Sequence, residues 1–126
     1  MGSTARQFHT QQVHYLRKDI TFASRGVSQT VGVIPAGSVI IKPMSGVNVS
    51  TIFNGSGTDL LDIGTSGTAD LYATDLSLAA VGFQALDEAV SVYVAAETTI
   101  TAIYADANSD ASAGVAQVVI CYIPNM

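Results

Sequence analysis

From Val13 onward the chain alternates short apolar-rich runs with turn signals, and almost nowhere does it repeat with a helical period. The run "VHYLRKDITFA" carries β-branched and aromatic residues in partial alternation and stops at "SRG". "QTVGVIP" closes at Pro35, and "AG" supplies the turn that follows. "SVIIKPMSGVNVSTIF" is interrupted at Pro43 and Gly46, which predicts an edge, a bulge or a bend in place of one long central strand. "NGSG" at Asn54 to Gly57 is a turn signal, since Asn and Gly accept the positive φ that hairpin turns demand. "TDLLDIG" and "ADLYATDLS" read as short strands around "TSGT", whereas "LAAVGFQALDEA" reads as a loop or a single turn. "VSVYVAA" sets Val90, Val92 and Val94 against Ser91 and Tyr93, and "TTITAIYA" and "AGVAQVVICYIP" complete the set around the polar loop "DANSDASAG".

Seven or eight strands at close spacing, with Gly-rich turns and no credible helix, indicate an all-β fold, an antiparallel sandwich or a barrel. The last strand, Val115 to Ile123, is apolar on both faces apart from Gln117. That pattern suits a central strand, or one with a face covered by a partner. The first twelve residues, "MGSTARQFHTQQ", are polar and without a clear period. Residues 1–12 therefore read as an extended N-terminal arm and residues 13–126 as a single β domain, long enough for a core without disulfide staples.

Composition changes the picture in one respect. Charged residues make up 12% of the chain, about half of the roughly 25% usual in soluble domains. A surface finished in Ser, Thr, Ala and Gly suits a protein that meets other proteins over much of its area. The charges are also segregated. All five bases (Arg6, Arg17, Lys18, Arg25 and Lys42) lie in the first third, opposed only by Asp19, and nine acids and no base follow Lys42. Two arrangements satisfy this asymmetry: the basic segment lies across its own acidic domain, or it reaches a neighbouring subunit. Five dispersed bases on a chain of net charge −5 argue against nucleic acid as the partner. Cys121 stands alone in "VVICYI", so it forms no internal disulfide and reads as a buried small hydrophobe. No apolar leader follows Met1 and no run approaches a membrane span, so a soluble protein of a reducing compartment is expected.

The residues offer little for catalysis. Asp59 and Asp62 are three apart on a strand and point to opposite faces, so they are not a carboxylate pair. With Asp70 and Asp75 they read as turn formers that accept backbone N–H groups. "DANSDASAG" matches the opening of a calcium loop at Asp106, Asn108 and Asp110, but Ala111 stands where the sharp turn needs glycine and Gln117 where a bidentate glutamate belongs. His9 and His14 are five apart with no cysteine or acid between them, which reads as polar contact and not metal ligation. No G-x-S-x-G elbow and no phosphate loop occurs. The expectation is a protein that is not an enzyme and takes no cofactor.

One resemblance adds to this. The segments "GVIPAGSVI", "VSTIFNGSGTDLLDIGTSGTADLYA", "ETTITAIYAD" and "AGVAQVVICYIP", in that order, resemble small structural proteins of tailed bacteriophages. Pro35, Ala36, Gly37, Phe53, Asn54, Leu61, Ile63, Gly64, Asp70 and Tyr72 carry the match, which runs from Gly32 to Pro124 and leaves the arm outside it. The resemblance implies a capsid decoration, or cement, protein: a jelly-roll-like β-sandwich on the outer surface of the virion capsid that bridges major capsid proteins. It implies as partners the major capsid protein and further copies of the chain itself, as a homodimer or homotrimer, with no nucleic acid and no membrane. Contact with the shell is expected from the arm and first strand, through Arg6, Phe8, His9, His14, Tyr15, Arg17, Lys18 and Arg25. A tail, baseplate or fibre-attachment component is the nearest alternative. A carbohydrate- or ligand-binding sandwich module is more distant, because the chain has no Trp and its five Tyr are dispersed.

Overall fold

The computed structural model describes residues 12–124, which contain ten strands and no α-helix. In chain order these are β1 (His14–Thr21), β2 (Gln29–Ile34), β3 (Ser38–Ile40), β4 (Gly46–Thr51) and β5 (Asp59–Gly64), then β6 (Ala73–Ser77), β7 (Gly82–Ala85), β8 (Tyr93–Val94), β9 (Thr98–Asp106) and β10 (Val115–Ile123). Residues 1–11 of the expected arm, and with them Arg6, Phe8 and His9, lie outside the described residues.

Each strand pairs antiparallel with its counterpart counted from the other end of the chain: β1 with β10, β2 with β9, β3 with β8, β4 with β7, and β5 with β6. The chain is one long hairpin folded over on itself. The roll closes because β10 also takes β3 and β4 along its second edge, and β9 takes β5. One sheet runs β1-β10-β4-β7, with β3-β8 continuing it beside the C-terminal end of β10; the other runs β2-β9-β5-β6. That winding is a jelly roll. Of the two architectures open to the strand pattern, the sandwich is the one formed.

Strict alternation builds the core between the sheets. Ile100, Ala102 and Tyr104 of β9 face inward, as do Ala116, Val118, Ile120 and Tyr122 of β10. β4 adds Val47 and Val49, and β5 adds Leu61 and Ile63. Each such aliphatic side chain contributes roughly 1.5–3 kcal/mol when fully buried, so these facing rows hold the layers together. β10 is central, as its doubly apolar sequence requires: strands flank it on both edges.

The run from Ser38 to Phe53 bends where Pro43 and Gly46 interrupt it. A single 3₁₀ turn, Lys42–Met44, separates β3 from β4 along one edge of β10. Ser45 repairs the gap in the ladder. Its buried hydroxyl donates to the Ile41 carbonyl at 2.8 Å and accepts the Cys121 N–H at 2.9 Å, replacing the backbone acceptor that the turn removes. Upstream, the Ser38 N–H reaches the Pro35 carbonyl at 3.3 Å, and Gly37 has φ 84°, the positive value a type II turn needs at its third residue.

A strand also forms where a loop or single turn is expected. Within "LAAVGFQALDEA", Gly82–Ala85 pairs with Gly46–Val49 as an edge strand. Only four residues alternate there, too few for the period to declare itself. "VSVYVAA" errs the other way, because only Tyr93 and Val94 pair, with Val39 and Ser38.

Candidate functional site

The two outer faces of the sandwich differ. That of β2-β9-β5-β6 is mixed, with exposed Thr30, Thr99 and Asp75 interspersed with exposed Val33 and half-buried Leu60 and Ile103. The outer face of the six-stranded sheet carries an apolar row at one end. Tyr93 of β8 lies opposite Val39 of β3, and Val39 lies opposite Ile123 of β10. Val13, immediately before β1, and Tyr15 extend this surface to the edge, Tyr15 being the register partner of Cys121. The exposures are 57% for Tyr93, 37% for Val39, 45% for Ile123, 51% for Val13 and 60% for Tyr15. With exposed Met44 on the adjoining turn, these side chains leave an apolar surface open at this end of the sheet. Cys121 points toward this face yet is buried, its thiol 3.6 Å from the Met44 carbonyl.

The first strand meets this surface at its N-terminal end. Tyr15, Arg17 and Asp19 share the outward side of β1, and Asp19 accepts a hydrogen bond from the Gln117 side chain at 3.1 Å. Arg17, Lys18 and Asp19 line a shallow depression. His14 turns the other way and packs on Tyr122, ring centroids 5.7 Å apart and tilted by 40°. Of the residues expected to make contacts, Tyr15 and Arg17 are brought together on the exposed face, while Lys18 turns to the other side of β1 with His14 and is half-buried. Arg25 is placed elsewhere, at the far end of the sandwich.

Val13, Val39, Tyr93 and Ile123 were missed by reading residue chemistry alone. The signal was present in β10, whose outward positions Val115, Val119, Cys121 and Ile123 are apolar like its inward ones, Gln117 alone excepted. A doubly apolar strand that is not covered on both sides by its own chain leaves a surface to be covered by another.

At the far end, three loops are tied by a closed polar network. Arg25 donates to the carbonyls of Ser109 and Ala111 and lies 3.8 Å from the Asp106 carboxylate. Asp106 accepts the N–H groups of Asn108 and Ala111, at 3.2 and 2.8 Å. Asp59, almost fully buried, accepts the Tyr104 hydroxyl at 2.5 Å and the Gly55 N–H at 2.9 Å. Asn54 accepts the N–H groups of Ser112 and Ala113, and Asp110 takes both the N–H and the hydroxyl of Ser56. These last two bonds hold the exposed Asp110 carboxyl below its ordinary pKa. Among the described residues no group of three or more His, Cys, Asp or Glu is arranged to hold a metal ion. The acids of "NGSGTD" and "DANSDASAG" clamp loops.

Tyr104 gives this network a pH signature. Burial, then the hydrogen bond and charge of Asp59 and the charge of Asp106, push its pKa well above the ordinary 10.0, with Arg25 opposing. Burial also raises Tyr72. A phenol whose folded pKa is raised contributes stability that is complete below the unfolded value and is lost as the pH climbs past it. The denaturation midpoint should therefore fall progressively above about pH 10, and Tyr104→Phe should make that decline shallower. An equally steep decline in the variant would assign the effect to other groups.

No protein-family model matches the chain, and no curated protein matches it. Solved structures do. The chain is similar to one in the structure described as the Cyanophage Pam1 capsid asymmetric unit, with a TM-score of 0.64 and 17% identity over 90% of this chain and 85% of that one. It is similar to another in the acidic stable capsid structure of Helicobacter pylori bacteriophage KHP30, with a TM-score of 0.64 and 15% identity over 90% and 89% of the two chains. What is shared is the fold.

Proposed function

We propose that the chain is a structural protein of a bacteriophage virion that decorates and stabilises the capsid, bridging major capsid proteins from the outside. The observation that carries this reading is the apolar row at one end of the six-stranded sheet, reached by the chain just where residues 1–12 join β1. The likeness in fold to chains from two phage capsid structures supports it. A decoration protein holds by many copies of a modest contact, since simultaneous engagement multiplies weak affinities without any one tight site. The surface is suited to such holding. It is an apolar patch flanked by Arg17 on the outward side of β1. The arm, with Arg6, Phe8 and His9, is assigned to the shell as an extended segment able to add to a neighbour's sheet edge. No catalytic role is assigned to any residue.

Quantitative mass spectrometry of purified particles tests this directly. The chain should be present in simple ratio to the major capsid protein, and Tyr93→Ser with Ile123→Ser should lower that ratio at least tenfold while the purified variant stays folded. Deleting residues 1–12 should likewise leave the sandwich folded and abolish attachment. A handful of copies per particle would move the protein to the tail or baseplate, and full occupancy by the face variant would remove the apolar row from the mechanism.

A further inference from the structure

The sandwich has two sides where sheet edges are open, and they carry opposite charge. On one side β1 is an edge strand, paired only with β10 through eight uninterrupted register positions. Arg17 and Lys18 stand on it with one acid, Asp19, which accepts from the Gln117 side chain, and with the exposed ring of Tyr15 beside them, so the edge is net positive. The chain's other described bases are spent internally, Arg25 on the carbonyls of Ser109 and Ala111 and Lys42 on the carbonyl of Glu88. The side chains of Arg17 and Lys18 make no hydrogen bond or ion pair to another described residue. On the other side β6, β7 and the two-residue β8 are edges, the first two joined by the Gln84 side chain donating to the Ser77 carbonyl. That side presents exposed Val81 and Phe83 together with Asp70 and Asp75. Asp75 has φ 55° and its N–H is held by Asp62 at 2.8 Å, a kink that stops β6 from accepting a regular strand.

We infer that copies of this chain associate head to tail, the β1 edge of one against the β6–β7 edge of the next. Charge selects this arrangement over the symmetric ones. A two-fold contact through β1 would bring together two edges that are each net positive, Arg17 and Lys18 outnumbering Asp19, and one through β6 would set aspartates against aspartates; like charges directly opposed are destabilising. The chain's net charge of −5 makes copies repel in general, so the favourable approach is the one that lays its basic edge on an acidic one. Apolar side chains are exposed on both partners of that contact, Tyr15 on one and Val81 and Phe83 on the other, so each ionic rim has something to enclose. The kink at Asp75 makes it a contact of side chains and not a shared ladder. A contact between two different patches is heterologous, and it closes into a ring where the rotation permits. This inference stands apart from the virion reading, because it concerns the free protein.

Sedimentation of the full chain, with two charge variants, decides it. The native chain should associate at low salt and weaken steeply as salt is raised. Arg17→Glu with Lys18→Glu should weaken association at least tenfold, and so should Asp70→Lys with Asp75→Asn, in which asparagine keeps the residue's tolerance of positive φ. Mixing the two variants should restore association, since each then offers the edge the other lacks. A native chain that stays monomeric would overturn the inference. So would an acidic-edge variant that associates as the native chain does, which would point to a β1–β1 contact, or a mixture that stays dissociated while both variants unfold at the native midpoint.

Discussion

Gly46→Ala should destabilise the protein by about 3 kcal/mol, the upper end of what overpacking costs. A Cβ at this position would lie 1.9 Å from the Gln84 carbonyl oxygen and 2.8 Å from the Ala85 Cα, both backbone atoms of β7. No side-chain rotation relieves that clash, so β7 must move or detach. The pairing at stake joins Gly46–Val49 to Gly82–Ala85, and with it goes the cover over one edge of β4. Gly67, with nothing within 4 Å of its built Cβ, is the control: Gly67→Ala should change stability by less than about 0.5 kcal/mol. Urea titration of both variants reads the difference. Equal midpoints would mean that the close approach of β7 has no energetic weight.

The same residue shows what the sequence discloses and what it hides. Gly46 is legible as an interruption of an apolar run, because glycine weakens a strand and marks a bulge or a close approach. What approaches is not legible, since β7 lies more than thirty positions along the chain and is too short to announce itself. The fold class could be read because period-2 alternation and turn chemistry are local properties, and nine of the ten strands lie within runs read as strands, β7 being the exception. Pairing order was out of reach: nothing local tells β1 that it must meet β10. Once the roll is formed the order is simple, each strand finding its mirror position along the chain.

The candidate site was half legible for a related reason. Arg17, Lys18 and Tyr15 stand out because charge and aromaticity are visible one residue at a time. Tyr93, Val39 and Ile123 become a surface only when β8, β3 and β10 are set side by side, and their spacing along the chain says nothing of that. Arg25 shows the converse. As one of five bases it looks like a partner contact, yet its guanidinium is spent on the carbonyls of its own chain. The even choice between a basic segment that serves its own domain and one that reaches outward is divided by residue: Arg25 and Lys42 bond within the domain, while Arg17 faces out.

Asp106→Ala should cost about 3 kcal/mol, and the reasons run in both directions. Against the carboxylate stands Asp59, close enough that both crowd the Cβ position of Gly55, at 2.6 and 2.8 Å, so removing one relieves like-charge repulsion. In its favour stand two backbone donors and a guanidinium. The Asn108 amide lies on an exposed loop and finds water when its acceptor goes, and Arg25 is 30% exposed, so solvent screens much of that pair. Ala111 is different. Its residue is buried and its N–H has only Asp106, at 2.8 Å, so an unpaired buried donor remains, worth roughly 1–3 kcal/mol by itself. The donors therefore outweigh the repulsion. Asp106→Asn, which keeps one acceptor and removes the charge, should lose less than half as much. Hydrogen exchange should localise the change, with protection falling at Ala111 and Gly55 while the β4 and β10 amides keep theirs. If Asp106→Ala unfolded within about 0.5 kcal/mol of the native protein, the two carboxylates would be nearly balanced by their own repulsion, and the rigidity of this end would have to come from Asn54 and Asp110 instead.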